Sequence, residues 1–238
     1  MEHVLLMEWK NKTGVTIDSD KEVKLIKYAE LIHETNKKFN ITGFKTVEDI
    51  IKNLIVGSLD PLFSLNVPRG TLFADIGTGA GIPGVPLAIF NENWKGLCID
   101  SNSKKISFVK SVIQKCGIEN LQVHNGRLED LARGEMRETC DYVFSRALGE
   151  IFFVLEVGAP LLKKQGLLYV YSHAAPEELS SSMCNHATEV GLTLLQRSRY
   201  TEYGFGDTGL LFFKSGATES RYPRKTAAIK RDIARLKA

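Results

Sequence analysis

The chain has 238 residues, of which 43% are hydrophobic and 25% charged, and its formal net charge is +3. That length supports one sizeable core with an appendage, or two small domains, and the composition is that of an ordinary soluble globular protein. No apolar stretch approaches the roughly 20 residues that span a bilayer, and Glu2 and Glu8 interrupt the N-terminus where a signal peptide would be apolar.

The four cysteines (Cys98, Cys116, Cys140 and Cys184) are scattered, with no Cys-x-x-Cys pair. This speaks against zinc and a disulfide framework, and for a reducing cytoplasm. The charge is uneven. From Lys214 to Ala238 eight basic residues face two acidic ones, so this segment carries +6 and the remainder −3. A basic tail on a slightly acidic body suits a polyanionic partner such as RNA, although a solvated C-terminus has the same composition.

Residues 19–39 have helical periodicity, with Ser19 as N-cap, Glu22 completing a capping box, and Val23, Ile26, Ala29, Leu31 and Ile32 as the apolar stripe. A second helix is expected from Val47 to about Leu59. Pro61 and the run Asn66-Val67-Pro68-Arg69-Gly70 then mark a linker. Residues 1–66 are therefore read as a small helical cap, 67–214 as the main domain and 215–238 as a basic tail.

From Thr71 onward strands and helices alternate. Strands are expected at 71–76, Leu97–Asp100, Leu121–His124, Asp141–Ser145 and Leu167–Tyr171. Helices are expected at Gly81–Phe90, Lys104–Cys116, Ile151–Leu162 and Glu177–Val190. Two late apolar runs, Thr193–Tyr200 and Leu210–Phe213, are expected to pair antiparallel at one sheet edge. The alternation predicts an α/β fold with a doubly wound, mostly parallel sheet, whose ligands sit at the carboxyl ends of the strands.

The first of these strands ends in Asp75-Ile76-Gly77-Thr78-Gly79-Ala80-Gly81-Ile82-Pro83-Gly84. Closely spaced glycines let backbone N–H groups approach a ligand. The spacing is Gly-x-Gly-x-Gly, not the dinucleotide Gly-x-Gly-x-x-Gly, because position 82 is Ile. An acid just before the glycines suits a cationic or hydroxyl-bearing ligand better than a pyrophosphate. S-adenosylmethionine, with its sulfonium, amino group and ribose, has those features. Taken alone the loop is also compatible with an ordinary tight β–α turn.

Three further strand ends carry polar residues. Asp100 closes the second strand, where an acid accepts ribose hydroxyls or caps the next helix. After the third strand, Asn125-Gly126-Arg127-Leu128-Glu129-Asp130 forms a loop suited to an adenine or to a plain turn. After the fourth, Arg146 is placed to orient the cofactor or the substrate. The five histidines show no metal spacing, and no Ser-His-Asp arrangement, Walker lysine or His-Glu-x-x-His occurs. Also absent are the Asn/Asp-Pro-Pro-Tyr motif of exocyclic-amine methylation and a Pro-Cys pair for pyrimidine C5 chemistry. Guanine N7, with a free in-plane lone pair, needs neither a general base nor a nucleophile, only in-line positioning.

At these residues the chain resembles the bacterial 16S ribosomal RNA 7-methylguanosine methyltransferases, also called glucose-inhibited division protein B. The similar stretches are Asn36–Thr42, Asp75–Leu87, Asp100 with Lys104–Phe108, Gly126–Glu129, Ser145–Ala147 and Tyr222–Lys225. The resemblance implies a class I, Rossmann-like methyltransferase fold binding S-adenosylmethionine. Its cofactor positions fall here on Gly77, Ile82, Leu128, Glu129 and Arg146, joined in our reading by Asp75, Gly79, Gly81 and Asp100. It implies an enzyme that transfers a methyl group to guanosine N7 in 16S rRNA, with 16S rRNA, the 30S subunit or its precursor as partner; a cytoplasmic monomer is our own expectation. Arg221, Arg224, Lys225, Lys230 and Arg231 are the expected RNA contacts.

The chain departs from that family at Leu54 and Gly57, where the family has His-x-x-Asp-Ser, at Ser172-His173, where it has Lys-Gly, and at Thr208-Gly209, where it has Arg-His. Two other readings accompany these departures. One is a methyltransferase of the same fold with another substrate. The other is a catalytically weak cofactor-binding module that docks on RNA or the ribosome.

Overall fold

The computed structural model describes residues 2–59, 71–172, 181–199 and 208–236. The expected linker at 66–70, the first turn of the helix expected from Glu177, His173 and Tyr200 lie outside these residues.

Helix α1 spans Glu2–Thr13 and α2 spans Ser19–Asn36. The cap of α2 is Asp18, not Ser19: its carboxylate accepts from the Lys21 N–H at 2.9 Å. A carboxylate one residue earlier adds a charge–dipole attraction that a serine hydroxyl lacks. The helix expected over 47–59 is divided into α3 (Val47–Ile50), a π-helical stretch (Ile51–Val56) and α4 (Gly57–Leu59). Here a polar side chain competes for the helix's own carbonyls. The buried Asn53 amide donates to Asp49 O at 2.6 Å, and the Ser58 hydroxyl donates to Leu54 O.

The sheet runs β1 (Leu72–Ile76), β2 (Lys95–Asp100), β3 (Leu121–Asn125), β4 (Cys140–Arg146), β5 (Leu162–Ser172), β6 (Leu192–Arg199) and β7 (Thr208–Lys214). Their order is β3-β2-β1-β4-β5-β7-β6. β1 through β5 pair parallel, while β7 pairs antiparallel with both β5 and β6. The chain winds outward from β1 to β3, then returns to lay β4 on β1's other side. The carboxyl ends of β1 and β4 are thus the switch point, where neighbouring crossovers part and leave a crevice.

Between the strands lie α5 (Gly84–Phe90), α6 (Ser103–Cys116), α7 (Leu128–Arg133), α8 (Ile151–Gly158) and α9 (Ser181–Glu189). Helix α10 (Thr226–Leu236) follows β7. Helix α5 starts at Gly84 rather than Gly81, because residues 77–83 stay in turns. Leu128, expected in a loop, opens α7. α8 ends at Gly158, a 3-10 turn at Ala159–Leu161 follows it, and β5 begins at Leu162, earlier than expected.

Alternate strand residues feed two cores, as the period of two requires. Phe73, Tyr142, Phe144, Tyr169 and Tyr171 face α1, α2, α5 and α6. Ala74, Ile76, Val143 and Val170 face α7, α8 and α9. The first face is aromatic: Phe73 meets Phe144 edge-on at 6.0 Å, and Trp94 stacks on Tyr142 at 6.3 Å. Leu25, Tyr28, Ala29 and Ile32 of α2 are fully buried there, so the N-terminal helices share a core with the sheet. The Tyr28 hydroxyl donates to Ala80 O at 2.8 Å, tying α2 to the glycine loop.

Candidate cofactor site

Asp75 lies in β1 at the switch point, and the glycine loop begins two residues later. Most of the loop's N–H groups are used within the protein. Gly77 and Thr78 donate to Ile99 O at 2.9 and 3.0 Å, and Gly81 and Ile82 donate to Thr78 O at 2.8 and 2.9 Å. Gly79 N donates to the Asp100 carboxylate at 3.0 Å, and Gly84 N to the Asp75 carboxylate at 2.9 Å. These N–H groups, expected to reach a ligand, are engaged within the protein, and their bonds hold the loop in shape.

The glycines serve that packing. Gly77 has φ +71°, and a Cβ there would lie 2.3 Å from Leu148 Cδ1. A Cβ on Gly84 would lie 2.4 Å from Cys98 Sγ and 2.9 Å from Asp75 Oδ2.

Asp75 is fully buried beneath the loop rather than on the cavity wall. Its Oδ2 accepts from the Thr78 hydroxyl at 2.5 Å and from Gly84 N, while its buried Oδ1 has no hydrogen-bond partner among the described residues. Burial pushes its carboxyl up to about 7, against the lowering effect of the Thr78 and Gly84 hydrogen bonds. Burial likewise raises the Cys98 thiol and the Tyr28 phenol.

A cavity of about 490 Å³ opens at the carboxyl ends of β1, β2 and β4. Of the residues expected to bind a cofactor, Gly77, Asp100, Leu128 and Glu129 line it. Gly79, Gly81 and Ile82 lie in the loop but not on its wall, and Arg146 is also off it. Asp100 is held by both oxygens: Oδ2 accepts from Gly79 N, and Oδ1 accepts from Asn102 N at 2.9 Å. The buried Glu129 sits in the first turn of α7. The loop after β4 closes another side through Ala147, Leu148, Gly149 and Glu150, and Phe153 of α8 adjoins it.

Arg146 turns toward the N-terminal helices. Its guanidinium donates to Asn53 O at 2.9 Å and to the Ser58 hydroxyl at 3.1 Å, and lies 5.4 Å from the Tyr171 ring centre. The Tyr171 hydroxyl donates to Ser58 O at 2.6 Å. The carbonyls of Asn53 and Ser58 thus receive side chains from β4 and β5. A Cβ on Gly57 would lie 3.8 Å from Arg146 Nη2, so this departure from the family pattern sits against that guanidinium.

The C-terminal segment is docked rather than trailing. The Arg224 guanidinium and backbone N–H engage the fully buried Glu156 of α8 at 2.7–2.9 Å, and Nη1 meets Asp232 at 2.5 Å. Arg137 donates to Tyr222 O at 2.9 Å and Thr218 O at 2.7 Å, and Arg133 donates to Pro223 O. Arg224, expected on RNA, is paired in the structure with that buried carboxylate, which demands a partner charge. Arg221 and Lys225 are exposed, and so are Lys230 and Arg231 on α10.

Sequence reasoning left several cavity residues unassigned, among them Lys105, Arg127, Thr226 and Ile233, and it assigned Lys230 to RNA alone. Thr226, Lys230 and Ile233 are spaced for one helical face, the local signal that they share a surface.

No described helix is long and apolar enough to cross a membrane. Residues 21–192 match the family model described as rRNA small subunit methyltransferase G. A protein of Mycoplasma capricolum named ribosomal RNA small subunit methyltransferase G is 32% identical over 216 residues, covering 90% of this chain and 92% of the relative. One of the same name from Fervidobacterium nodosum is 34% identical over 84% of this chain and 92% of the relative. Among solved structures, a SAM-dependent methyltransferase from Aquifex aeolicus superposes with a TM-score of 0.54 at 18% identity, covering 76% of this chain and 98% of that one. P. horikoshii TYW2 in complex with MeSAdo also reaches 0.54, at 15% identity, covering 69% of this chain and 64% of that one. The structures share the fold of this chain, a Rossmann-like methyltransferase sheet. The family match extends from α2 through the first residue of β6, and the chain belongs to the rRNA small subunit methyltransferase G family.

Proposed function

We propose that this protein is an S-adenosylmethionine-dependent methyltransferase that modifies N7 of a guanosine in small-subunit 16S rRNA. The observation that carries the reading is the family match across the strand ends that form the cavity. The cavity residues fit the cofactor. Asp100, fixed by Gly79 and Asn102, keeps acceptor capacity for ribose hydroxyls. Glu129 is an acceptor for an adenine amine, with Leu128 as an apolar wall beside it. Bound S-adenosylmethionine supplies a methyl group on a positively charged sulfur.

The chain's own contribution is placement. Asp75, Thr78 and Gly84 hold the loop, and Leu148 packs against Gly77. Arg146 joins the helices before the sheet to the end of β4, setting the wall on which a base would be oriented. N7 carries a lone pair and loses no proton, so positioning suffices and no general base is required of the site. We place the exposed Arg221, Lys225 and Arg231 on RNA phosphates, and take the acting form to be a monomer that meets its rRNA within the 30S subunit or its precursor.

Incubating the protein with methyl-labelled cofactor and 30S particles from a strain lacking the modification tests the reading, with naked 16S rRNA as a second arm. Label on a single guanosine, mapped by its chemical lability, is the expected result. Cofactor binding without transfer to rRNA in either arm overturns the enzyme reading in favour of a docking module.

A further inference from the structure

We infer that the C-terminal helix α10 is a wall of the cofactor cavity, and that Lys230 binds the adenosine end of the cofactor. This rests on the cofactor reading above and extends it to a residue outside the family match, which ends at residue 192.

The placement has three supports. First, Thr226, Lys230 and Ile233 line the same cavity as Asp100 and Glu129, and their spacing puts them on one face of α10. Second, the helix is fixed there. Arg224, two residues before α10, is paired with the fully buried Glu156 of α8 and with Asp232 of α10 itself. Ile229 and Ile233 are buried on the inner side. A helix held by a buried charge and two isoleucines presents Lys230 at a defined place on the rim. Third, the chemistry matches. An ammonium has three donors and no acceptor, and an adenosine offers acceptors in its ring nitrogens and ribose oxygens. The cavity carboxylates, Asp100, Glu129 and Glu150, can only accept when ionised, so they cannot serve those acceptors.

A role through charge alone predicts the opposite sign, which makes the inference testable. S-adenosylmethionine is a net cation, so removing a nearby lysine would tighten it if Lys230 acted only through its field. Loss of a hydrogen bond would instead weaken the cation and the uncharged-sulfur product, S-adenosylhomocysteine, alike.

The test is titration calorimetry of the full chain and of Lys230→Ala with S-adenosylmethionine, S-adenosylhomocysteine and adenosine, with Arg231→Ala as a control off the cavity face. Lys230 is exposed and alanine favours a helix, so the variant should fold, which its circular dichroism and melting temperature check. The expected result is affinity weakened about fivefold to tenfold for all three ligands in Lys230→Ala, and unchanged in Arg231→Ala. Unchanged cofactor affinity with weakened rRNA binding assigns Lys230 to RNA alone and overturns the inference. Tighter binding of the cation with unchanged binding of the product overturns it as well. In either case a wild-type protein that binds and transfers leaves the proposed function standing. A wild-type protein that binds none of the three ligands removes that function itself.

Discussion

Asp75 offers a prediction whose sign follows from the structure. Its carboxyl is fully buried, accepts from the Thr78 hydroxyl and Gly84 N through one oxygen, and has its ionisation raised from the ordinary 3.8 to about 7, chiefly by burial. As pH rises through 3.8 the unfolded chain gives up this proton while the folded protein keeps it. Stability therefore falls with rising pH until about 7, where the folded carboxyl also ionises and the loss is complete. The shift corresponds to up to about 4 kcal/mol. Asp75→Asn keeps an acceptor for Gly84 N and the Thr78 hydroxyl but cannot ionise. Its buried amide adds a cost of about 1–3 kcal/mol that does not vary with pH. The difference in stability between variant and wild type should thus move in the variant's favour by up to about 4 kcal/mol between pH 4 and pH 8. Urea unfolding without cofactor, followed by fluorescence of the buried Trp9 and Trp94, measures this difference. Parallel pH profiles for the two proteins would refute the argument.

Other expectations follow from the same packing. Gly84→Ala places a methyl group 2.4 Å from Cys98 Sγ, so it should cost about 1–3 kcal/mol and weaken cofactor binding, read by melting and calorimetry. Glu156→Ala strips the partner from Arg224 and should cost about 3–5 kcal/mol in denaturant unfolding. If that variant melts like the wild type, the docking of α10 by this pair is wrong. Arg146→Lys loses the fork that reaches both Asn53 O and Ser58 Oγ. On the proposed function it should lower methyl transfer on the order of ten- to a hundredfold while cofactor affinity stays within about twofold. An affinity loss as large as the rate loss would move Arg146 onto the cofactor.

The order of strands and helices after Thr71 was legible because burial imposes local periods, and Gly77-Thr78-Gly79-Ala80-Gly81 is legible because its turn needs backbone freedom within a few residues. The antiparallel edge could likewise be read from two apolar runs late in the chain, but not the insertion of β7 between β5 and β6, which is a choice of partner. Asp75, Arg146 and Arg224 carry the clearest lesson. Each is a charged residue at a suggestive position, and local sequence marks it as a ligand contact. What each touches is set by residues far along the chain: Gly84 and Cys98 around Asp75, Asn53 and Ser58 for Arg146, Glu156 for Arg224. A charge reads as solvent-facing or functional until the fold brings a partner to it, and only then does burial become affordable. For the same reason the basic composition of the last 25 residues pointed to RNA, while the docking of α10 on α8 turned one face of that helix into a cavity wall. Periodicity and turn chemistry are properties of neighbouring residues and were present from the start. Which side chains converge on one cavity depends on contacts across tens of residues, which exist only once the sheet has closed.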